Sequence, residues 1–211
     1  RRNARGPPPT KGRNRTAAPR VQLGMGDNDT TTTTPNDATA TTTGLRPLGS
    51  GLLAARSPAG RSALARAVKA GTALKLAPGI IIDATTWAAA DWPERRRLRC
   101  LAHAHAHPKL ALAGISAARI HGLDILVDPD HDTDEKVHLA HVGRGKTAGG
   151  AGHTVHCLAL DAADITVVDG VRVTTPARTI HDLRTTHGPA HALAAADDAL
   201  RKGHGRGTLT A

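Results

Sequence analysis

Trp87 and Trp92 are the only aromatic residues in this 211-residue chain, which has no Phe and no Tyr. Any interior must therefore be built from Leu, Ile, Val and Ala. Each of these buries less area than a ring, so modest stability is expected. The same scarcity argues against a platform for single-stranded RNA or DNA, where bases stack on aromatic side chains. The length leaves room for one or two small domains. Cys100 and Cys157 stand alone, without a CxxC pair. Reduced thiols in a cytoplasmic protein are the expected state. No apolar run reaches the length of a membrane span, and no signal-peptide core is visible.

Charge is spread unevenly. The formal net charge is +10, and residues 1–24 supply seven bases and no acid. Residues 45–82 carry Arg46, Arg56, Arg61, Arg66, Lys69 and Lys75 with no acid, whereas residues 83–211 hold fifteen of each sign. The first residue is Arg and Met25 is the only Met, so a start at Met25 is one expectation for the native chain. It would lower the net charge to +3 and leave the six bases of residues 45–82 untouched. An isolated basic segment of that size is a candidate surface for double-stranded DNA.

The pattern along the chain predicts three regions in an α/β (α+β) protein. Residues 1–44, with Pro7-Pro8-Pro9 and the Thr runs, read as a disordered tail. Residues 45–84 read as a winged helix-turn-helix. Leu52–Ala55 suggests a short first helix closed by Ser57-Pro58-Ala59-Gly60. A second helix over Arg61–Gly71 turns Leu64, Ala67 and Val68 to one face and Ser62, Arg66 and Lys69 to the other. A hairpin follows, with strands at Leu74–Leu76 and Ile80–Ile82 around Ala77-Pro78-Gly79. Such a helix fits a major groove, and such a hairpin can ride the adjacent backbone.

Residues 85–211 read as a mixed α/β domain. A helix is expected from Asp91-Trp92-Pro93 to about Ala106, and another over Ser116–His121 with Ser116 as its cap. Val137–Val142 and Thr154–Leu160 look like strands. Ile165–Val168 and Val171–Val173 flank Asp169-Gly170, a type I′ hairpin signal. Thr175 then caps a helix with Pro176 in its first turn, and a last helix runs from Pro189 to before Gly203.

Several segments, taken in order, resemble the AbiEi-like antitoxin family of actinobacterial transcriptional regulators. They are Ala65–Gly71, Leu76–Ile80, Ser116–Leu123 and, most specifically, Asp164–Leu183, which reads Asp-Ile-Thr-Val-Val-Asp-Gly-Val-Arg-Val-Thr-Thr-Pro-Ala-Arg-Thr-Ile-His-Asp-Leu. The resemblance covers the stretch from about Leu52 to Lys202. It implies an operator-binding winged helix, an α/β antitoxin domain and a nucleotidyltransferase-like toxin as partner in a type IV toxin–antitoxin system. Some relatives continue into a Vsr-like endonuclease domain.

Other constellations carry less. His103 and His107 share a helix face and could co-ligate zinc, but the HxxxH spacing lacks the Glu of a zincin, so exposed helix-end histidines and no metal are expected. Asp128, Asp130, Asp132 and Asp134 imitate a calcium loop without its Gly and Glu, which favours a solvated acidic loop. Gly145-Lys146-Thr147 echoes a P-loop but lacks the helix that should follow. Arg178 and Asp182 sit four apart on one helix, where a pair pinning that helix to the Asp169-Gly170 hairpin outweighs any acid–base role.

The expected function is a cytoplasmic, non-enzymatic regulator that needs no cofactor. It would bind operator DNA through Arg61, Ser62, Arg66, Lys69 and Lys75 and antagonise a toxin. Thr175, Pro176, Arg178 and Asp182 would be structural. The alternatives are the targeting half of a Vsr-like endonuclease-family protein without its catalytic domain, and a module that binds only protein.

Overall fold

A computed structural model describes residues 44–126, 136–143 and 147–204. The tail expected before Gly44, the acidic loop of Asp128 to Asp134, and Gly145 and Lys146 of the P-loop echo lie outside the described residues. Among those described, the protein is mixed α/β, with six helices and two sheets. None of these helices is long and apolar enough to cross a membrane.

The first sheet is antiparallel in the order β1 (Leu45–Gly49), β2 (Leu52–Ala55), β4 (Ile80–Asp83), β3 (Ala73–Ala77). Leu52–Ala55 is thus a strand, where a helix was expected. Four apolar residues fit either period, and tertiary packing selects the two-residue one. Leu52 and Ala54 point into the main core, while Leu53 and Ala55 pack toward the helix that follows. Gly49, Ser50 and Gly51 all have positive φ (89°, 49° and 73°) and turn β1 back onto β2.

Ser57-Pro58 starts that helix, α1 (Pro58–Lys69), and does not close an earlier one. Ser57 Oγ accepts from the Gly60 N–H at 3.1 Å, and Pro58 occupies a first-turn position where no N–H is needed. The end is a Schellman motif. The Thr72 N–H donates to the Ala67 carbonyl and the Gly71 N–H to that of Val68, with Gly71 at φ 73°.

The Ile80-Ile81-Ile82 run is explained by its place. It forms the central strand β4, buried on both faces. Ile81 packs with Leu64 and Ala73 under α1, whereas Ile80 and Ile82 join the main core. A short helix, α2 (Ala84–Ala89), is capped by Asp83. It leads to α3 (Trp92–Ala106), whose cap Asp91 accepts from the Glu94 N–H at 2.9 Å. Leu98, Cys100, Leu101, Ala102 and Ala104 of α3 fill the space between the two sheets. Residues on either side of position 84 therefore share one hydrophobic cluster.

The second sheet has the order β7 (Ala148–Gly150), β8 (His153–Leu158), β6 (Val137–Val142), β5 (Ala111–Leu112), β10 (Val171–Thr174), β9 (Ile165–Val168). β6 and β8 are parallel, as are β5 and β10, and the other neighbours run antiparallel. Asp169 (φ 50°) and Gly170 (φ 74°) form the expected tight turn between β9 and β10. α4 (Gly114–His121), α5 (Pro176–His187) and α6 (Pro189–Arg201) pack around Ile115, Ala118, Leu183, Ala195 and Ala199. α4 begins two residues before Ser116, with Ala113 as a cap that has no side-chain bond. Ser116 is fully buried, and its Oγ accepts from the His138 N–H at 2.9 Å. It joins helix to strand and caps nothing.

Candidate functional site

The inward stripe of α1 is Gly60, Leu64 and Ala67, and it rests on Ile81 and Ala73. About 100° per residue separates this stripe from Arg61, Ala65, Val68 and Lys69, which border a groove against the β3–β4 hairpin. Lys75 of β3 closes the opposite rim, and Ile80 and Ile81 lie beneath. Val68, expected inside, is 38% exposed on the groove edge because Leu64 and Ala67 already fill the space over the sheet.

Three of the five residues expected to meet DNA thus converge on one groove: Arg61, Lys69 and Lys75. Ser62 and Arg66 are exposed farther round the helix. Ser62 Oγ donates to the Pro58 carbonyl at 3.3 Å. Arg46 and Arg56 are exposed as well. Among the described residues none of the six cations of this segment pairs with a carboxylate. What such a groove can do is hold an anion-bearing partner by charge while offering an apolar floor.

The Arg178 group is more extensive than expected. Thr175 Oγ1 accepts from the Arg178 N–H at 3.4 Å, and Pro176 opens α5. The Arg178 guanidinium donates to Asp182 Oδ1 (2.9 Å), Asp164 Oδ2 (3.1 Å) and the Ala159 carbonyl (2.8 Å). It pins α5 to the segment entering β9, not to the Asp169-Gly170 turn. Asp169 at that turn instead pairs with Arg97 of α3. Burial raises the Asp182 carboxyl above its ordinary range, and the bond and charge of Arg178 only partly offset this.

The histidines are not the exposed helix-end set that the spacing suggested. His103 is 4% exposed in the last turn of α3, and His107 follows one turn later. His153, at the start of β8, packs against both. Burial, followed by the neighbouring His153 and His107, pushes His103 down to about 4, so its ring is neutral near pH 7. Burial and then His153 also lower His107. His153 lies forty-six residues beyond His107 in the chain. Only strand parity, which places His153, Val155 and Cys157 on one face, signals its direction. No family model matches the chain, and no curated protein matches it.

Proposed function

We propose that this chain is a DNA-binding transcriptional regulator of the kind that its resemblance to AbiEi-like antitoxins implies. The observation that supports it best is the convergence of Arg61, Lys69 and Lys75 on one groove in a segment without acid between Asp37 and Asp83. In the winged-helix reading, α1 approaches the major groove and the β3–β4 hairpin lies along the flanking phosphates. Arg66 then contacts the backbone from the outer side of α1. Repression follows from occupying the operator, and a nucleotidyltransferase-like toxin is the proposed protein partner.

The test is anisotropy titration of duplex DNA from the region upstream of the chain's own gene, across a range of salt. Each phosphate contact contributes about 0.9 to the slope of log K against log salt. The R61A/K69A/K75A variant should lose about 2 to 3 units of slope and bind at least tenfold more weakly. An unchanged slope in a folded variant would falsify the assignment of this groove.

One feature supports a second reading. The groove lining of Leu64, Ala65, Val68, Ile80 and Ile81 is apolar, which suits an acidic amphipathic segment of a protein partner better than a phosphate backbone. In that case V68D abolishes partner capture, while DNA affinity in the wild type stays weak and indifferent to sequence.

A further inference from the structure

His103 lies in the last turn of α3 and His107 is its C-terminal cap one turn on, while β8 opens with His153 beside them. One ligating nitrogen from each ring lies within 4.8 Å of the other two. The His153 ring centroid is 5.2 Å from that of His103 and 4.6 Å from that of His107. His103 Nδ1, His107 Nε2 and His153 Nδ1 are all buried without a hydrogen-bond partner. Each of the three rings thus carries a buried nitrogen without a partner, which is costly unless something binds it, because buried polar atoms in proteins are normally satisfied.

We infer that His103, His107 and His153 form a three-imidazole site for a divalent transition-metal ion of the zinc type. Neutral imidazole suits zinc, copper, nickel or cobalt and is a poor ligand for magnesium or calcium. Bonds of about 2.05 Å to a tetrahedral ion place ligand nitrogens roughly 3.4 Å apart, so small ring rotations complete the set. The last turn of α3 directs the negative end of its dipole toward the ion. Neighbouring glycines keep the space clear. A Cβ at Gly150 would come within 2.6 Å of the His153 ring, and one at Gly152 within 3.2 Å of His103 Nε2. Among the described residues no fourth side chain joins the cluster, which leaves the remaining tetrahedral position to water or an outside ligand. The bound ion fastens α3 to β8 and couples metal binding to folding.

The experiment uses the full chain without a polyhistidine tag, stripped of metal by chelator and titrated with Co²⁺, then with Zn²⁺ in competition. The wild type should bind one equivalent with a tetrahedral Co²⁺ absorption spectrum, and its Tm should rise with Zn²⁺. H107Q and H153Q, the two partly exposed ligands, should each lose at least tenfold in affinity and the tetrahedral spectrum while circular dichroism shows an intact fold. H156Q, on the opposite face of β8, should behave as the wild type. The inference fails if the folded wild type shows no saturable one-equivalent binding. It also fails if H107Q and H153Q bind as the wild type does.

Discussion

His138 Nδ1 and His156 Nε2 lie 2.9 Å apart across the parallel strands β6 and β8, one ring donating to the other. Burial, then His156 and His187, push His138 from its ordinary value of 6.5 down to about 4. The unfolded chain therefore binds more protons between these values. Stability from this group is complete above pH 6.5 and is lost as pH falls toward 4. A shift of that size corresponds to roughly 3 kcal/mol, and partial solvent access reduces the expectation to about 1 to 2 kcal/mol. Urea unfolding of the metal-free protein from pH 7.5 to 4 should show this loss, and H138Q should flatten it. Parallel curves for the two proteins would rule the assignment out.

Gly60 is where α1 approaches the strand entrance most closely. An added Cβ would stand 2.3 Å from the Gly44 carbonyl oxygen, which already accepts from the Arg56 N–H at 2.9 Å. Helix propensity alone favours G60A by about 1 kcal/mol. The clash is with backbone and must displace α1, at a cost of about 1 to 3 kcal/mol. We expect G60A to be net destabilising and to weaken any ligand held by the α1 groove. A stabilised G60A in denaturant titration would contradict this packing.

Arg178 joins three chain segments, so its loss should exceed that of a surface ion pair. R178A leaves the Asp182 carboxylate buried and uncompensated. We expect about 3 kcal/mol of destabilisation. Adding D182N removes the stranded charge, so the double variant should be no less stable than R178A alone. Additive losses in this cycle would mean that the two side chains act independently.

Much of the architecture is readable where a local rule has no rival. The Asp169-Gly170 turn, the Thr175-Pro176 start of α5 and the Val137–Val142 strand appear where turn chemistry, capping and period place them. Leu52–Ala55 is too short for periodicity to decide, and the buried space against Ile82 decides it instead. Ser57-Pro58 is ambiguous between stop and start until its Oγ is seen on the Gly60 N–H. Ser116 has the residue type of a cap but serves a strand twenty-two positions away. The basic face of α1 is legible residue by residue, yet the rim that sorts Lys75 with Lys69, and both apart from Arg66, depends on the hairpin fold. The His153 contact is non-local, and strand parity signals only which face that side chain takes, not the helix it meets.

Ile81 supports the basic groove from below, Ile80 borders both that groove and the interior shared with α3, and Ile82 belongs to the interior alone. The basic groove and the scaffold therefore meet on one four-residue ribbon. A fragment cut after Asp83 would carry the groove away with half of an oily interface exposed. Drift in the β4 side chains must satisfy two environments at once, so the shape and charge of the groove are more readily altered from α1 and Lys75 than from the strand beneath them.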